Sequence, residues 1–458
     1  MNEDINPELN SDPMAAIVPL KIKILYGIGL YGTQMFNGIQ AAATAWFWLD
    51  IMKLDYGLYT FIMLVIYNIW NALNDPIFGW LSDITKSRWG RRIPWIRFFS
   101  PVWLVTTILL FFPYLSFEQF GLAIWFTVFI VLFDGCYTIV AGCYNSLMPE
   151  LTTLTNERTK INIISQIFGM IGVGLSFIFP LLLKDNINGF FIFVIIGGIT
   201  AMVVLFIPSF FLKERKINYK EMKKLGLIKA LIESIKNKPF MAFIGWNFMI
   251  QFTTAIVVAN IIFYASNVLM ANDTESLILF LVLFGTILPG FIIYPKLSKA
   301  KGVKFSVMIG TILLATGLLL LFFSNSYIFS LISFLITGFG LGGALIFTNV
   351  MIGESTDFDE LKTKQRREAM FFGTNALFTK PAIGLAHAVL STTLLFMGYI
   401  QGGTPNIQPA SAILGIKMIM GLFPSIALYI SLIFIYFYPN LKETQEMKKQ
   451  LALLHKNY

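Results

Sequence analysis

The feature that most constrains this chain is its succession of apolar stretches, each 20 residues or more in length. About 20 residues at 1.5 Å each match the hydrocarbon thickness of a bilayer, about 30 Å, so each stretch is long enough to cross one as a helix. Read by that length, segments fall near 22–49, 57–81, 95–115, 118–149, 162–183 and 189–212. A second set follows near 240–269, 275–295, 305–324, 326–353, 369–397 and 410–437. Composition agrees. Of 458 residues, 56% are hydrophobic and only 13% charged, against about a quarter charged in a soluble domain. So few charges cannot clothe a globular surface. The fold class expected is an all-α membrane protein with about twelve transmembrane helices in two six-helix halves.

The only long polar stretch, Lys213 to Lys238, separates the two sets and contains an amphipathic run, Leu225 to Ile235, read as a helix on the membrane surface. Three parts follow: an N-terminal half over 1–212, a cytoplasmic linker over 213–238, and a C-terminal half with its tail over 239–458. Of the 34 Lys and Arg, all but Lys53, Lys184, Lys380 and Lys417 lie at the N-terminus, in the loops after even-numbered spans, or in the C-terminal tail. Basic residues collect on the cytoplasmic side, so both termini and the linker are expected there. The net charge of +9 is thus a topology signal, spread over short loops, and no nucleic-acid partner is expected. Cys136 and Cys143 lie seven residues apart, about 10 Å along a helix and too far for a disulfide. Met1 to Leu20 lacks a basic segment followed by an apolar core, so no cleavable signal is expected.

An ionisable side chain inside a span is costly, which makes each one a functional candidate. Here these are Asp75 in span 2, Asp134 in span 4, and Lys380 and His387 in span 11. Asp75 and Lys380 fall at similar depths by this reading and could form a pair that changes protonation during a cycle; a static salt bridge is the plainer alternative. Asp134 and His387 could equally be satisfied interhelical groups. Asn71, Asn74 and Asp75 share one turn just before Pro76. Their oxygens suit a small hard cation, and Pro76 frees the carbonyl of Ala72. The alternative is a kink without a ligand.

The loop after span 2 carries Asp83, Arg88, Arg91 and Arg92, and the loop after span 10 carries Glu354, Asp357, Asp359 and Arg366. Complementary charges on the two loops would make a cytoplasmic gate; topogenic charge alone is the alternative.

These residues also form longer motifs. Asn74-Asp75-Pro76-x-x-Gly79 is followed by Arg88-x-Gly90-Arg91-x-x-Pro94. Later come Asp357-Phe-Asp359-Glu-Leu-Lys362-Thr, then Arg366-Arg-Glu368 and Phe371-Phe372-Gly373. Pro149-Glu150-Leu151 ends span 4, before Glu157-Arg158-Thr159. Together, and in this order, they resemble the glycoside–pentoside–hexuronide:cation symporter family of the major facilitator superfamily, from about Tyr26 to span 12. The resemblance implies a coupling site of Asp75, Asn74, Asn71 and Thr138, with Lys380 working alongside. Asn71 stands where the family's melibiose-carrying members have a first acid. Gln34, Ala141 and Gln166 stand where those members hold sugar with two acids and an arginine, and Asn145 replaces a tryptophan of the sugar pocket. Candidate substrate residues are therefore Gln34, Asp134, Ala141, Asn145, Gln166 and His387.

The function expected is secondary, cation-coupled symport of a sugar, glycoside or similar small solute. The coupling ion would be a proton, with Na+ the other choice, and no cofactor, bound metal or catalytic residue is expected. A carrier of amphipathic lipids such as lysolipids is the alternative on the same fold. An enzyme is disfavoured by the lack of paired acids at catalytic spacing, and a channel by the scarcity of pore-lining charge. The chain is expected to be a multi-pass protein of the plasma membrane, in contact with membrane lipid and working as a monomer. Cysteines introduced near Lys53 and near Lys224 should be labelled from opposite faces of the membrane; labelling of both from one face would overturn the twelve-span reading.

Overall fold

The computed structural model of the chain describes residues 18–85, 87–113, 118–151, 155–212, 235–363 and 368–456. The expected linker over 213–238 therefore lies outside the described residues except for its last four, and Arg366 lies outside them too. The described secondary structure is helical throughout.

In chain order the helices are α1 (Leu20–Ala45), α2 (Tyr56–Phe61, continuing through Ile62–Tyr67 into Asn68–Ile84), α3 (Ile93–Leu110), α4 (Gln119–Leu151), α5 (Thr155–Leu182) and α6 (Ile187–Phe206). There follow α7 (Lys238–Phe263), α8 (Asp273–Lys301), α9 (Val303–Phe323), α10 (Tyr327–Thr363), α11 (Glu368–Thr379, then Pro381–Phe396), α12 (Ala410–Lys417, through Met418–Leu422 to Phe423–Tyr436) and a terminal α13 (Leu441–Lys456). Ten helices among the described residues are long and apolar enough to cross a membrane. The two remaining rods of the expected twelve are α1 and α11. The first carries Gln34, Asn37 and Gln40 among its glycines, which lowers its apolarity. The second breaks at Lys380 because Pro381 opens the next helix without an N–H to donate.

Sequence periodicity did not reveal the π segments. Trp46–Ile51, Ile62–Tyr67, Tyr264–Val268 and Met418–Leu422 each widen a helix locally. Such bulges are uncommon and gather at functional sites; the second precedes the polar turn of α2 directly.

By contact the chain forms two compact units. Unit 1 draws on Met1–Phe47 and Ile69–Lys220, and unit 2 on Trp48–Asn68 and Glu221–Tyr458. In unit 1, α1 lies along α5 and α6, and α3 along α4 and α6. Helices in lipid gain no hydrophobic drive from meeting each other, so small residues that let backbones approach supply the contact. A Cβ at Gly172 of α5 would come within 2.6 Å of the Tyr31 carbonyl oxygen on α1. Aromatic rings fill the wider gaps: Phe36 stacks on Trp103 at 4.4 Å, and Phe47, Phe111 and Phe190 meet edge to face at 5.3 and 5.5 Å. Unit 2 is organised around α10, which packs on both α8 and α9, with α7 against α11 and α12.

Gly338 shows how close that packing is. A Cβ there would sit 2.1 Å from the Leu283 carbonyl oxygen and 2.2 Å from Thr286 Oγ1 on α8. Gly353, on the same helix, has nothing within 4 Å. Gly338→Val should therefore lower thermal stability in detergent by about 1–3 kcal/mol, whereas Gly353→Ala should leave it unchanged. Equal effects would show that the α8–α10 approach is not tight.

Candidate functional site

The polar turn of α2 faces α4. Register explains this: Asn71, Asn74 and Asp75 are three and four residues apart, hence on one face of α2, and Asp134 and Thr138 share a face of α4 in the same way. The helices come close because position 135 is glycine, where a Cβ would already lie 3.2 Å from Trp70 and 3.4 Å from Phe78. At this crossing the Asn74 side-chain amide donates a short hydrogen bond to Asp134 Oδ2. Both side chains are buried, Asn74 completely. Asp75 and Asp134 both lie within electrostatic reach of Tyr137, so two carboxylates attend one spot in unit 1.

Two oxygens beside this pair are conspicuous. Asn71 Oδ1 and Thr138 Oγ1 are buried with no hydrogen-bond partner among the described residues. An unsatisfied buried polar atom costs about 1–3 kcal/mol, and such a cost is retained where a ligand or proton relieves it. Carboxylate, amide and hydroxyl oxygens at the α2–α4 crossing can take up a proton or ligate a small cation.

The other substrate candidates divide by exposure. Ala141 is buried and Gln34 half-buried, while Asn145 on α4 and Gln166 on α5 are exposed. An exposed amide on a spanning helix faces either lipid or water, and lipid would leave its hydrogen-bonding groups unsatisfied. Asn145 and Gln166 are accessible at the surface of unit 1, Gln166 beside the exposed Ile163 and Ile167. Next to Asn145, Tyr144 pairs with Tyr26 of α1: the rings stack at 4.6 Å, and each hydroxyl donates to the other residue's carbonyl. Nothing in the sequence singled out this pair.

In unit 2, Lys380 stands at the break of α11, its backbone N–H bonded to the Ala376 carbonyl at 3.0 Å. His387, almost two turns further on, is buried and shares a 2.8 Å hydrogen bond through Nδ1 with the Tyr59 hydroxyl.

The gate candidates have local partners. Arg92 donates a short hydrogen bond to the Ser146 carbonyl, and Arg88 stacks over Trp89 at 4.7 Å. Arg97, which the motif reading passed over, lies over the other neighbours: 4.8 Å from the Trp89 ring and 4.1 Å from Phe210, with a 2.8 Å bond to the Ser209 carbonyl. In unit 2, Glu354 is buried, accepts from the Tyr438 hydroxyl at 3.0 Å, and meets Lys448 of α13 at 3.5 Å. Asp359 is buried and Asp357 half-buried; the side chain of Asp83 lies outside the described residues.

Glu157, of the Glu157-Arg158-Thr159 motif, has a clear structural task. Glu157 binds Lys23 at 2.6 Å and Lys160 at 2.9 Å, and accepts from the Val18 N–H at 3.2 Å. The two lysines hold its carboxyl down at about 2. This contact pins the start of α1 to α5.

Two sets of packed helices, a buried polar turn at the α2–α4 crossing and a lysine at a broken helix suit a secondary transporter of the major facilitator class. The match to known proteins agrees and is more particular. Residues 25–440 match the family described as MFS/sugar transport protein, and the chain belongs to that family. It is 25% identical to an isoprimeverose transporter of Lactiplantibacillus pentosus, over 96% of this chain and 92% of that one. It is 24% identical to a sphingosine-1-phosphate transporter of Xenopus tropicalis, over 94% and 90%. Among solved structures it superposes on a D-xylose-proton symporter with a TM-score of 0.60, covering 92% of this chain and 98% of that one at 15% identity, a likeness of fold. The protein is an integral, multi-pass membrane carrier of small solutes.

The Asn74–Asp134 contact separates charge from hydrogen bonding. Asp134→Asn keeps an acceptor for Asn74 and should fold with near-native thermal stability, whereas Asp134→Leu strands the Asn74 amide and should lose about 1–3 kcal/mol. Equal stability of the two variants would show that the bond contributes nothing.

Proposed function

We propose that this chain is a proton-coupled symporter of a neutral sugar or glycoside, working as a monomer in the plasma membrane with both termini cytoplasmic. The observation that carries the substrate class is the pair of exposed, uncharged amides on α4 and α5, Asn145 and Gln166. Amides donate and accept, as sugar hydroxyls do, and they carry no charge to match an anionic group. The relative named for isoprimeverose supports a glycoside. The relative named for sphingosine-1-phosphate is the ground for keeping lysolipids in the test.

Coupling is assigned to Asp75. One acid in a low-dielectric setting takes up and returns a proton as its surroundings change, and the Asn71–Asn74–Asp75 turn holds a single carboxylate. Sodium coupling is the second reading, and a specific observation favours it: Asp134 is drawn up to Asn74, which brings a second carboxylate to the α2–α4 crossing. Sodium is best held where carboxylates neutralise it.

Purified protein in liposomes should accumulate a pentose-containing glycoside against its gradient when the pH gradient points inward. Asp75→Asn should abolish that accumulation while sparing downhill exchange. Sodium stimulation at fixed pH would move the assignment to the Asp75–Asp134 pair and Na+. Transport of lysolipids with no response to any sugar would overturn the substrate class.

A further inference from the structure

Residues 48–68 belong by contact to unit 2, packed on α11 and on the loop that follows it. Hydrogen bonds from two levels hold them there. At the first, Asp50 Oδ1 accepts from the Tyr399 hydroxyl at 3.0 Å and from the Gly402 N–H at 2.6 Å. The Tyr56 hydroxyl donates to the Tyr399 carbonyl at 3.3 Å, and the Gln401 side chain to the Leu54 carbonyl at 3.1 Å. At the second, Tyr59 meets His387, and the Thr60 and Ser391 hydroxyls lie 2.6 Å apart.

Both sides of this contact are shaped in advance. Lys53 and Gly402 have φ of +52° and +66°, and a Cβ at Gly402 would lie 2.8 Å from Lys53 Cε. Gln408 folds back to bond both the N–H and the carbonyl of Ile400 at 2.9 and 2.8 Å, which stiffens the 399–408 loop. Hydrogen bonds lace the contact, beside the buried side chains of Leu54, Tyr56 and Tyr59. Polar groups that part find water instead, so their net contribution is small; an apolar seal of the same area would resist parting. Both segments follow odd-numbered spans, on the side opposite the basic loops.

We propose that residues 50–60 and the Tyr399–Gln408 loop form a latch on the non-cytoplasmic face, released once in each transport cycle, with Asp50 as its central acceptor. This rests on the carrier reading of the chain. The groups facing Asp50 are Lys53 and Tyr56 from its own segment and Tyr399 and the Gly402 N–H from the loop. Burial raises its carboxyl above the usual range, against the lowering by those hydrogen bonds and by Lys53. A group whose pKa is higher in the closed state than in the open one binds protons on closing. Acid on that face therefore favours the closed latch, and rising pH favours release.

The test uses the full chain with Cys136 and Cys143 replaced by alanine. Joining Lys53→Cys to Gln401→Cys with a cleavable bifunctional thiol reagent should cut uptake and exchange by about tenfold or more, the scale of losing one state of a two-state cycle, with recovery on cleavage. Undiminished transport with the link in place, or failure of the link to form, would overturn the latch. Independently, Asp50→Ala, which removes the acceptor, and Tyr399→Phe should each speed modification of Ser391→Cys by a membrane-impermeant thiol reagent by about fivefold to tenfold, the scale of one ordinary hydrogen bond. Acidification should slow that modification beyond the loss of thiolate common to every variant when Asp50 is present, and not beyond it in Asp50→Asn, which keeps the acceptor and cannot titrate. Rates that are equal with and without the substitutions would also overturn it. Labelling needs no transported solute, so this arm reads the latch even where the sugar assignment fails.

Discussion

In hydrocarbon there is no water to complete a hydrogen bond, and everything polar in this chain is arranged around that constraint. Helices satisfy their own backbones, so the chain spends its apolar residues on helix exteriors and its few polar ones where a neighbour can answer them. Thr and Ser hydroxyls bond back to carbonyls one turn earlier, as Thr44 does to Gln40 and Ser355 to Met351. Buried atoms left without a partner then acquire meaning. Asn71 Oδ1 and Thr138 Oγ1 border the one crossing where Asn74 and Asp134 already interact. In a soluble protein a water would be an ordinary answer to such atoms; in a bilayer the answer is a neighbouring helix or the cargo.

The parts of the fold legible in the sequence are those that depend on length and apolarity. Most span boundaries fall within a few residues of the helices because a lipid-crossing helix must be continuous and long, although α10 runs ten residues past its expected end at 353, to Thr363, and the break at Lys380-Pro381 falls inside a stretch read as one span. The weak span, α1, is weak for a readable reason: the polar and small residues that lower its hydropathy are the ones that let it lie against α5. The π segments were not legible. Their cause is a local choice of hydrogen-bond register, which leaves no composition signal in runs such as Ile62–Tyr67.

The candidate site was half legible. A carboxylate in a span announces itself by cost alone, so Asp75 and Asp134 stood out, but not that Asn74 would reach Asp134. That contact depends on Gly135 admitting Trp70 and Phe78, a three-dimensional fit. The tyrosines that hold Tyr26 to Tyr144 and Tyr59 to His387 were invisible for a related reason: in a chain with 17 tyrosines, partner choice and not residue type makes one matter. Charge was legible in number, less so in pairing. Glu354, a gate candidate, spends its carboxylate on Tyr438 and Lys448, bracing α10 against the terminal helix.

These partnerships bear on how such a carrier can move. An apolar seam resists separation in proportion to its area, which suits the contacts that persist, such as the glycine-lined approaches of α1 to α5 and of α8 to α10. A polar seam exchanges its bonds for water at little net cost, which suits contacts that form and break. The chain uses both. Glu157, Lys23 and Lys160 show that charge also serves permanence when it is pinned: the carboxyl held near 2 stays ionised across any physiological pH, so that joint does not respond to protons. Asp50 is displaced in the opposite direction by burial, and it faces one lysine, Lys53, with tyrosines and a backbone N–H, in place of two lysines. One carboxylate is thereby fixed against pH and the other made answerable to it, by the number of cations each faces and the water each has lost.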